Sequence, residues 1–241
     1  MGKHSDIERS RPLQKMFMSV PPSYDFLNRL LTFRLDECWR KKAANALLRS
    51  RPLKLLDLCT GTGDLAIRLA RDAPAATAVT AVDFSRPMLA VARKKALHLQ
   101  QRAPEFVFGD IAALPFESAS FDAAGIAFAF RNLTYKNPDT AVFLQEILRI
   151  LKPGGHFVVV ETSQPKSQVL RMLTHFYLRS VTIPLGGLIS GHRAAYKYLA
   201  HSAIHYYTAE QVRQILMDAG FTTVNYRLLL GGVAAIWEAK K

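Results

Sequence analysis

The segment LLDLCTGTGD at residues 55–64 constrains the fold of this chain more than any other feature. The apolar run at residues 53–59 predicts a buried strand, the two glycines predict a tight turn, and residues 64–71 predict a helix. A strand that passes into a helix through a glycine-rich turn is typical of α/β proteins, which bind ligands at the carboxyl ends of parallel strands. We therefore expect an α/β fold with a ligand site at this turn.

Strand and helix signals keep alternating from about residue 53 to residue 163. Ser85 and Pro87 are typical of the N-cap and first turn of a helix, and an amphipathic helix over residues 138–151 ends at the Lys-Pro-Gly-Gly turn that follows. Such alternation predicts a parallel-type sheet covered by helices. Four further apolar runs predict strands, at residues 78–82, 105–108, 123–128 and 156–161.

Two stretches lie outside this alternation. We interpret residues 1–50 as an N-terminal helical cap and residues 164–207 as a helical lid inserted after the fifth strand. After the lid, a helix is predicted over residues 209–219 with Gly220 as its C-cap. The length fits one domain over residues 1–241. Two closing apolar segments are expected to pair as an antiparallel hairpin at the sheet edge, at residues 223–230 and 233–238.

The glycine turn is typical of a nucleoside site, without the signs of a phosphate site. Gly61 and Gly63 remove the side chains that would keep a ligand away from the main chain. The dinucleotide fingerprint needs a third glycine where this chain has Ala66, although alanine is occasionally accepted there. The G-x-x-x-x-G-K pattern of ATP and GTP sites does not occur at this turn. We therefore expect a nucleoside-type ligand that carries no phosphates.

Three acids follow three successive strands and indicate the polar groups of that ligand. Asp57, before the glycines, suits a cationic amino group, and Asp83, at the end of the second strand, suits the hydroxyls of a ribose. Asp110, after the third strand, can accept a hydrogen bond from an adenine amino group. These groups together predict S-adenosylmethionine as the cofactor. Each acid also has a structural alternative, as a cap of the turn, of the next helix or of a surface turn.

Several segments carry a resemblance to one family. Together they resemble the quinone-biosynthesis C-methyltransferases, which comprise the demethylmenaquinone methyltransferase and the 2-polyprenyl-6-methoxy-benzoquinol methylase. The resemblance covers the chain from about residue 15 to its end. The segments are LLDLCTGTGD, PPSYDFLNRLLTFRLDECWR (21–40), VDFSRPML (82–89), GDIAALPFESASFD (109–122), FAFRNLT (128–134), LRILKPGG (148–155), YKYLAHS (196–202) and MDAGFTTVNY (217–226).

The resemblance implies a class I S-adenosylmethionine-dependent methyltransferase fold, a Rossmann-like sheet with strand order 3-2-1-4-5-7-6. It implies methylation of a carbon of a polyprenylated hydroquinone, either demethylmenaquinol or the equivalent benzoquinol. Departures from the family pattern leave that choice open, and they lie at Thr162, Gln164, Gly191-His192, His201 and Ile204. The residues predicted to bind the cofactor are Asp57, Gly61, Thr62, Gly63, Asp83, Phe84, Met88, Asp110 and Ile111.

Arg131 and Asn132 follow the fourth strand and are the first candidates for catalysis. A hydroquinone carbon becomes nucleophilic when an adjacent hydroxyl, with a pKa near 10, loses its proton. Arginine is always protonated, so we assign Arg131 to electrostatic stabilisation of the phenolate, with an ordered water taking the proton. Tyr24, in the predicted first helix, is the third catalytic candidate, as a partner of a quinol oxygen. Alternative bases lie in the lid, at His192, His201 and His205.

Charge and composition indicate the partners of the protein. Lys and Arg total 32 against 19 Asp and Glu, a formal charge of +13 that fits an anionic partner. The predicted lid, residues 164–207, contains cations and aromatic rings but no acid, so we predict space for a prenyl tail and peripheral contact with an anionic membrane surface. The sequence has no export signal, lipid anchor or membrane-spanning run, so we expect a cytoplasmic protein at the inner membrane face. A homodimer is left open.

Two other functions are compatible with parts of the sequence. A nucleic-acid methyltransferase fits the positive charge, but the chain has AFRN at residues 129–132 where amino-methylating enzymes carry Asn/Asp-Pro-Pro-Tyr/Phe. A cytosine-C5 enzyme needs a cysteine near that place, and Cys38 and Cys59 lie elsewhere. These cysteines also lack the spacing of a disulfide framework or zinc site, so we predict a reducing compartment, no metal and no nucleic-acid partner. An inactive methyltransferase-like binding module is the second rival, which the lid departures keep open.

Overall fold

Seven strands form one sheet in the computed structural model, which describes residues 24–241 apart from the side chain of Tyr24. The strands lie side by side in the order β3-β2-β1-β4-β5-β7-β6. This order confirms the α/β class and the sheet that the resemblance implied. The strands are β1 (Lys54–Leu58), β2 (Ala78–Asp83), β3 (Glu105–Phe108), β4 (Phe121–Ala127), β5 (Leu151–Thr162), β6 (Thr223–Leu229) and β7 (Ala234–Lys240).

Strand pairing is parallel among β1 to β5 and antiparallel at the last two strands. β7 pairs with β5 on one side and with β6 on the other, so β6 is the edge strand and the predicted hairpin is confirmed. β5 begins at Leu151, earlier than the predicted start at residue 156, because Leu151 already pairs with Phe121 of β4. The register shifts before Ala123, so the Lys-Pro-Gly-Gly segment is part of an irregular strand rather than a separate turn.

Ten helices accompany the sheet in the described part of the chain. The N-cap of α4 is Ser85, as predicted, since its hydroxyl accepts from the Met88 amide. Helix α10 has the predicted bounds and ends at Gly220, which is left-handed at φ 115°. The helices are α1 (Tyr24–Leu31), α2 (Leu35–Leu48), α3 (Asp64–Asp72), α4 (Arg86–Ala96), α5 (Phe130–Thr134), α6 (Thr140–Ile150), α7 (Gln168–Tyr177), α8 (Ile183–Ser190), α9 (Arg193–Ile204) and α10 (Ala209–Ala219).

Alternating side chains place apolar residues on both faces of the central strands. In β1, Leu56 packs into one buried cluster and Leu55 into the other. In β5, Val159 and Val158 divide in the same way. Strands that are covered by helices on both sides are apolar at most positions, which explains the unbroken apolar runs in the sequence. The two clusters hold the sheet between its helices, and with it the edge at which the carboxyl ends of the parallel strands meet.

A third, smaller cluster lies among helices outside these layers. Leu27 and Leu31 of α1 are buried together with Tyr196 of α9. Gly186 of α8 allows this close packing, because an added Cβ would overlap the ring of Tyr196. Tyr177, at the end of α7, donates a hydrogen bond to the Leu31 carbonyl at 2.9 Å. Helix α1 is therefore attached to the helices that follow β5.

The stretch predicted as a lid is helical from Gln168 to Ile204 except at Gly191 and His192, and a π-helical turn, Leu178–Thr182, joins α7 to α8. None of the helices between residues 24 and 241 is long and apolar enough to cross a lipid bilayer.

Candidate active site

A cavity of about 360 Å³ lies at the carboxyl ends of the parallel strands. Because these ends meet at one edge of the sheet, residues far apart in the sequence line one space. We call the residues that end or follow strands β1 to β5 the strand wall; its polar members include Asp57, Asp83, Asp110, Arg131 and Glu161. We call the part of the lining that comes from α1, the π-helical turn and α9 the helix wall; it includes Leu31, Thr182, Leu199 and Ala200.

Asp57 lies at the centre of the strand wall and is almost fully buried. Its Oδ2 accepts hydrogen bonds from the Thr60 hydroxyl at 2.6 Å and the Ala66 amide at 3.0 Å. Burial raises the pKa of this carboxyl to about 7, against the lowering effect of those two bonds and of Arg40. The second oxygen, Oδ1, is not used by these bonds and is available to a ligand. A cationic ligand group beside it would favour the ionised carboxylate, because opposite charges attract.

Asp83 ties the glycine turn to the end of β2. Its Oδ2 accepts from the Gly61 amide and its Oδ1 from the Ser85 amide, both at 2.8 Å. Burial raises the pKa of Asp83, although these amide bonds act in the opposite direction. The N-cap of the next helix is Ser85, so capping of that helix does not account for Asp83. The Phe84 amide acts on the same carboxyl, and because a carboxylate has about four acceptor positions, acceptor capacity is still left for a ligand hydroxyl.

The two glycines of the turn have different surroundings. Gly61 has φ 55° and faces open space, so an added Cβ would meet no atom within 4 Å. Gly63 has φ 83°, and an added Cβ would lie 2.9 Å from that of Ala92 in α4. The absent side chain of Gly63 therefore allows close packing of α3 against α4. Direct contact between Gly63 and the cofactor stays a prediction.

The remaining predicted cofactor residues line the same cavity. Phe84 and Met88 follow β2, and Asp110 and Ile111 follow β3. Asp110 is exposed, and its Oδ1 accepts from the Ala112 amide at 3.0 Å, so it also shapes a turn. The strand ends thus bring all the predicted cofactor residues except Gly63 to the lining of one cavity.

Helix α1 is attached directly to the glycine turn. Asp25 accepts a hydrogen bond from the Thr62 hydroxyl at 2.6 Å and forms an ion pair with Lys95 at 2.7 Å. Lys95 also donates to the Thr62 hydroxyl at 3.2 Å. Asp25 was missed by sequence reasoning, although it stands beside Tyr24 in the YDFLN segment. The side chain of Tyr24 lies outside the described residues, so its catalytic role stays a prediction.

Arg131 is held by an acid from the neighbouring strand. Its Nη1 donates to Glu161 Oε1 at 3.2 Å and to the Thr162 hydroxyl at 2.6 Å, and its main-chain amide donates to Glu161 Oε2 at 3.1 Å. Glu161 is fully buried, and such a pair is stable only when its hydrogen bonds are largely satisfied. Glu161 was missed because it ends an apolar run; a lone acid at the carboxyl end of a strand was the available signal.

Polar atoms without partners mark the space next to this ion pair. Arg131 Nε and Asn132 Oδ1 are buried and have no hydrogen-bond partner among the described residues. Both residues line the cavity. The first atom can only donate and the second can only accept, so together they match a group with both capacities. An aromatic hydroxyl is such a group.

The lid histidines are not placed to act as bases. His192, His201 and His205 are exposed, and the cavity lining in the described part of the chain does not include them. Cys59 does line the cavity, but burial, followed by the charges of nearby acids, raises the pKa of its thiol well above the usual range. A thiolate nucleophile is therefore disfavoured, in agreement with the sequence argument against a cytosine-C5 enzyme.

The sheet order and the acid-flanked glycine turn define a class I S-adenosylmethionine-dependent methyltransferase. The fold is similar to that of the 1,6-didemethyltoxoflavin-N1-methyltransferase of Burkholderia thailandensis, solved with S-adenosylhomocysteine. That comparison gives a TM-score of 0.66 at 21% identity, over 98% of this chain and 90% of the other. The chain belongs to the ubiE/COQ5 methyltransferase family, whose profile matches residues 4–241. It is an enzyme that uses S-adenosylmethionine to transfer methyl groups.

Curated relatives match nearly the whole chain. The demethylmenaquinone methyltransferase of Thermus thermophilus is 44% identical over 92% of this chain and 97% of its own length. The demethylmenaquinone methyltransferase of Deinococcus radiodurans is 38% identical over 97% of this chain and 94% of its own. The ubiquinone/menaquinone biosynthesis C-methyltransferase UbiE of Geobacter sulfurreducens is 36% identical, over 97% and 90% respectively.

Proposed function

We propose that this methyltransferase methylates a ring carbon of a polyprenylated hydroquinone, demethylmenaquinol or the equivalent benzoquinol. The observation that carries the proposal is the pair of unpartnered buried atoms, Arg131 Nε and Asn132 Oδ1, in a largely apolar cavity. They fit a hydroxylated aromatic ring, because buried polar groups need partners and the rest of the ring needs apolar surroundings. The names of the similar proteins point to the same class of substrate.

The predicted cofactor residues divide the ligand among them. Asp57 would bind the ammonium group, Asp83 the ribose hydroxyls and Asp110 the adenine amino group. Thr62, Phe84, Met88 and Ile111 would surround these groups. When bound, S-adenosylmethionine supplies an electrophilic methyl group. The support is the placement of these residues at one edge of the sheet, with acceptor capacity left on Asp83 after two amide bonds.

In the proposed mechanism, Arg131 stabilises the phenolate formed from the quinol hydroxyl nearest the reacting carbon. The hydroxyl proton passes to a water. A bound S-adenosylmethionine would supply the methyl group to the ring carbon as its sulfur–methyl bond breaks and the neutral thioether is left; the C–H proton of that carbon is then lost and the oxygen regains a proton, so one proton is released per cycle. Glu161 holds the guanidinium in place, and Asn132 orients the hydroxyl before it ionises. The ion pair thus positions a cation where negative charge develops.

The natural test is product mass from assays with a short-chain demethylmenaquinol and with the matching benzoquinol. We expect a gain of one methyl group on carbon with at least one of them. Cofactor binding by calorimetry with no turnover on either quinol would instead indicate an inactive binding module. A shift of tRNA at moderate salt would favour the nucleic-acid rival.

We also propose that the cytoplasmic protein contacts an anionic membrane surface through α7. One face of this helix carries apolar side chains that are 60% to 70% exposed, at helical spacing: Val169, Met172, Leu173 and Phe176. The stretch 164–207 contains Lys166, Arg179, Arg193 and Lys197, all exposed, and no acid. An apolar face flanked by cations fits the interface of an anionic bilayer, from which a polyprenyl substrate would come.

Vesicle flotation tests this contact. We expect recovery with vesicles that contain phosphatidylglycerol to exceed recovery with phosphatidylcholine alone, and the excess to fall as salt rises, because the attraction is screened. Equal recovery with both vesicles would contradict the membrane proposal without touching the chemistry proposed for the cavity.

A further inference from the structure

The last residue of the π-helical turn carries a buried hydroxyl without a partner. Thr182 is 8% exposed, yet its Oγ1 has no hydrogen-bond partner in the described part of the chain. The same holds for Arg131 Nε and Asn132 Oδ1, which line the same cavity. Among the side chains that the structure describes, the remaining buried atom without a hydrogen bond is Arg29 Nε, which is held in an ion pair by the Glu37 carboxylate 2.9 Å away. The unsatisfied atoms therefore converge on one cavity.

Hydroxyls in the flanking helices behave differently. Thr174 donates to the carbonyl of Leu170 at 2.8 Å, and Ser190 donates to that of Gly186 at 2.5 Å, each four residues earlier. This is the usual partner of a threonine or serine within a helix. Thr182 ends the π-helical turn, where the hydrogen-bond spacing is wider, and such turns occur often at functional sites. The wider turn leaves the Thr182 hydroxyl for a partner other than its own helix.

The three unsatisfied groups come from two separate parts of the cavity lining. Arg131 and Asn132 belong to the strand wall, whereas Thr182 belongs to the helix wall. A hydroquinone carries two oxygens on opposite sides of its ring, and each oxygen can donate and accept. The Thr182 hydroxyl can also do both, so it matches either the hydroxyl or an ionised oxygen. A ring between the walls would therefore satisfy all three groups at once.

We propose that Thr182 binds the ring oxygen of the hydroquinone that lies farther from Arg131. This inference rests on the proposed function and deepens it, because it makes the helix wall responsible for selecting 1,4-dihydroxy rings over monohydroxy rings. Thr182 is a substrate-binding residue for the oxygen remote from the reacting carbon. Its loss therefore affects KM more than kcat.

The first test compares Thr182→Val with Thr182→Ser and with Thr174→Val as a matched control. We expect Thr182→Val to raise the KM for a short-chain demethylmenaquinol about fivefold, the effect of one neutral hydrogen bond, while Thr182→Ser stays near wild type. The Tm of the Thr182→Val variant should not fall, since valine replaces a hydroxyl that is unsatisfied without substrate. Thr174→Val should lower Tm slightly and leave KM unchanged. An unchanged KM in Thr182→Val, or an equal rise in Thr174→Val, would overturn the proposal.

A second test measures ring binding without turnover. Trp39 lines the cavity, so its fluorescence can follow the binding of 1,4-dihydroxynaphthalene and of 1-naphthol. We expect Thr182→Val to weaken binding of the diol about fivefold and to leave 1-naphthol unchanged, because only the diol has the second oxygen. Equal weakening of both ligands would overturn the inference.

The two tests separate this inference from the proposed function. If the wild-type protein binds the diol but methylates neither quinol, the proposed function fails, and the ratio of the two binding losses still decides the role of Thr182. If the wild-type protein binds neither ring compound, the role of Thr182 is overturned as well. Turnover of a quinol with an unchanged KM in Thr182→Val would overturn only the role of Thr182.

Discussion

The strand wall and the helix wall of the cavity differ in how completely their polar groups are satisfied. On the strand wall, Asp57 and Asp83 each accept two hydrogen bonds from the chain itself, and Glu161 holds Arg131. On the helix wall, the lining is mainly apolar, and the Thr182 hydroxyl has no partner within the described residues. The two acids that are predicted to hold the cofactor are therefore held by the chain itself, whereas Thr182, like Arg131 Nε and Asn132 Oδ1, keeps a polar atom without a partner among the described residues.

This difference separates the two tasks of a methyltransferase. A site whose polar groups are fixed by main-chain amides needs little rearrangement to bind the same cofactor in every member of a fold class. In the function proposed here, recognition of the substrate also uses the helix wall, whose helices pack through a small cluster around Tyr196. Arg131 and Asn132 stand at the boundary, since they follow a strand but keep atoms unsatisfied. Variants on each wall can show whether cofactor binding and substrate binding change separately.

The largest effect is expected from removing the charge at the boundary. Arg131→Gln combined with Glu161→Gln replaces a buried ion pair by two amides and leaves no buried charge unpaired. We expect kcat to fall about 300-fold, because the phenolate loses its cation, with little change in cofactor affinity. Arg49→Gln, at the exposed Arg49–Glu238 ion pair, is the control and should keep full kcat. A double variant with near-normal kcat would remove Arg131 from the mechanism.

Loss of the acid at the end of β2 should have the next largest effect. Asp83→Ala removes the carboxylate acceptor for the ribose, so we expect the Kd for S-adenosylmethionine to rise about 100-fold by calorimetry. Asp122→Ala is the matched control, because Asp122 also accepts from two main-chain amides, those of Leu53 and Lys54, but at the opposite end of the sheet. Both variants should lower Tm. Equal cofactor affinity in the two would contradict the assignment of Asp83.

A smaller effect is expected on the exposed face of α7, the helix that precedes the π-helical turn. The double substitution Met172→Glu and Phe176→Glu places charges on the exposed face of α7, so we expect binding to anionic vesicles to fall about 30-fold. The kcat/KM for a short-chain quinol in solution should not change. Leu97→Glu changes another exposed apolar residue and should keep vesicle binding. If all variants bind vesicles equally, α7 is not the membrane contact.

The smallest effect concerns pH. Without ligand the pKa of Asp57 is about 7, since burial raises it, while Arg40 lowers it and Asp83 raises it slightly. A cationic ligand binds the ionised form, so affinity for S-adenosylmethionine should weaken about tenfold from pH 8 to pH 6. The free protein should lose stability as pH rises through 7, because the folded state holds a proton that the unfolded state has released. Asp57→Asn should remove both dependences, and a variant that keeps them would show that another group titrates.

The strand wall could be predicted from sequence because its signals are local. An acid, a glycine turn and a helix follow one another within ten residues, and the parallel topology then brings Asp57, Asp83 and Asp110 to one edge. The sheet order followed from the family resemblance. Gly63 shows the limit, since its contact with Ala92 depends on how two helices pack.

The helix wall could not be predicted in the same way. Asp25 contacts Thr62, and Tyr177 contacts Leu31, across separations that no local pattern encodes. The π-helical turn that frees Thr182 has no sequence signature, because its composition is that of an ordinary helix. The prediction that the lid histidines could act as bases failed for this reason: residue type was known, but orientation depends on helix packing.

The attachment of α1 to the glycine turn has a consequence for the order of events in repeated cycles. Asp25 and Lys95 both form hydrogen bonds with the hydroxyl of Thr62, which lies in the loop that would hold the cofactor. We expect exchange of spent for fresh cofactor to need movement of this helix, and in many enzymes such an opening step, not the chemistry, limits the rate. We expect a rapid burst of product equal to the enzyme present, followed by a steady rate that reports helix undocking rather than chemistry.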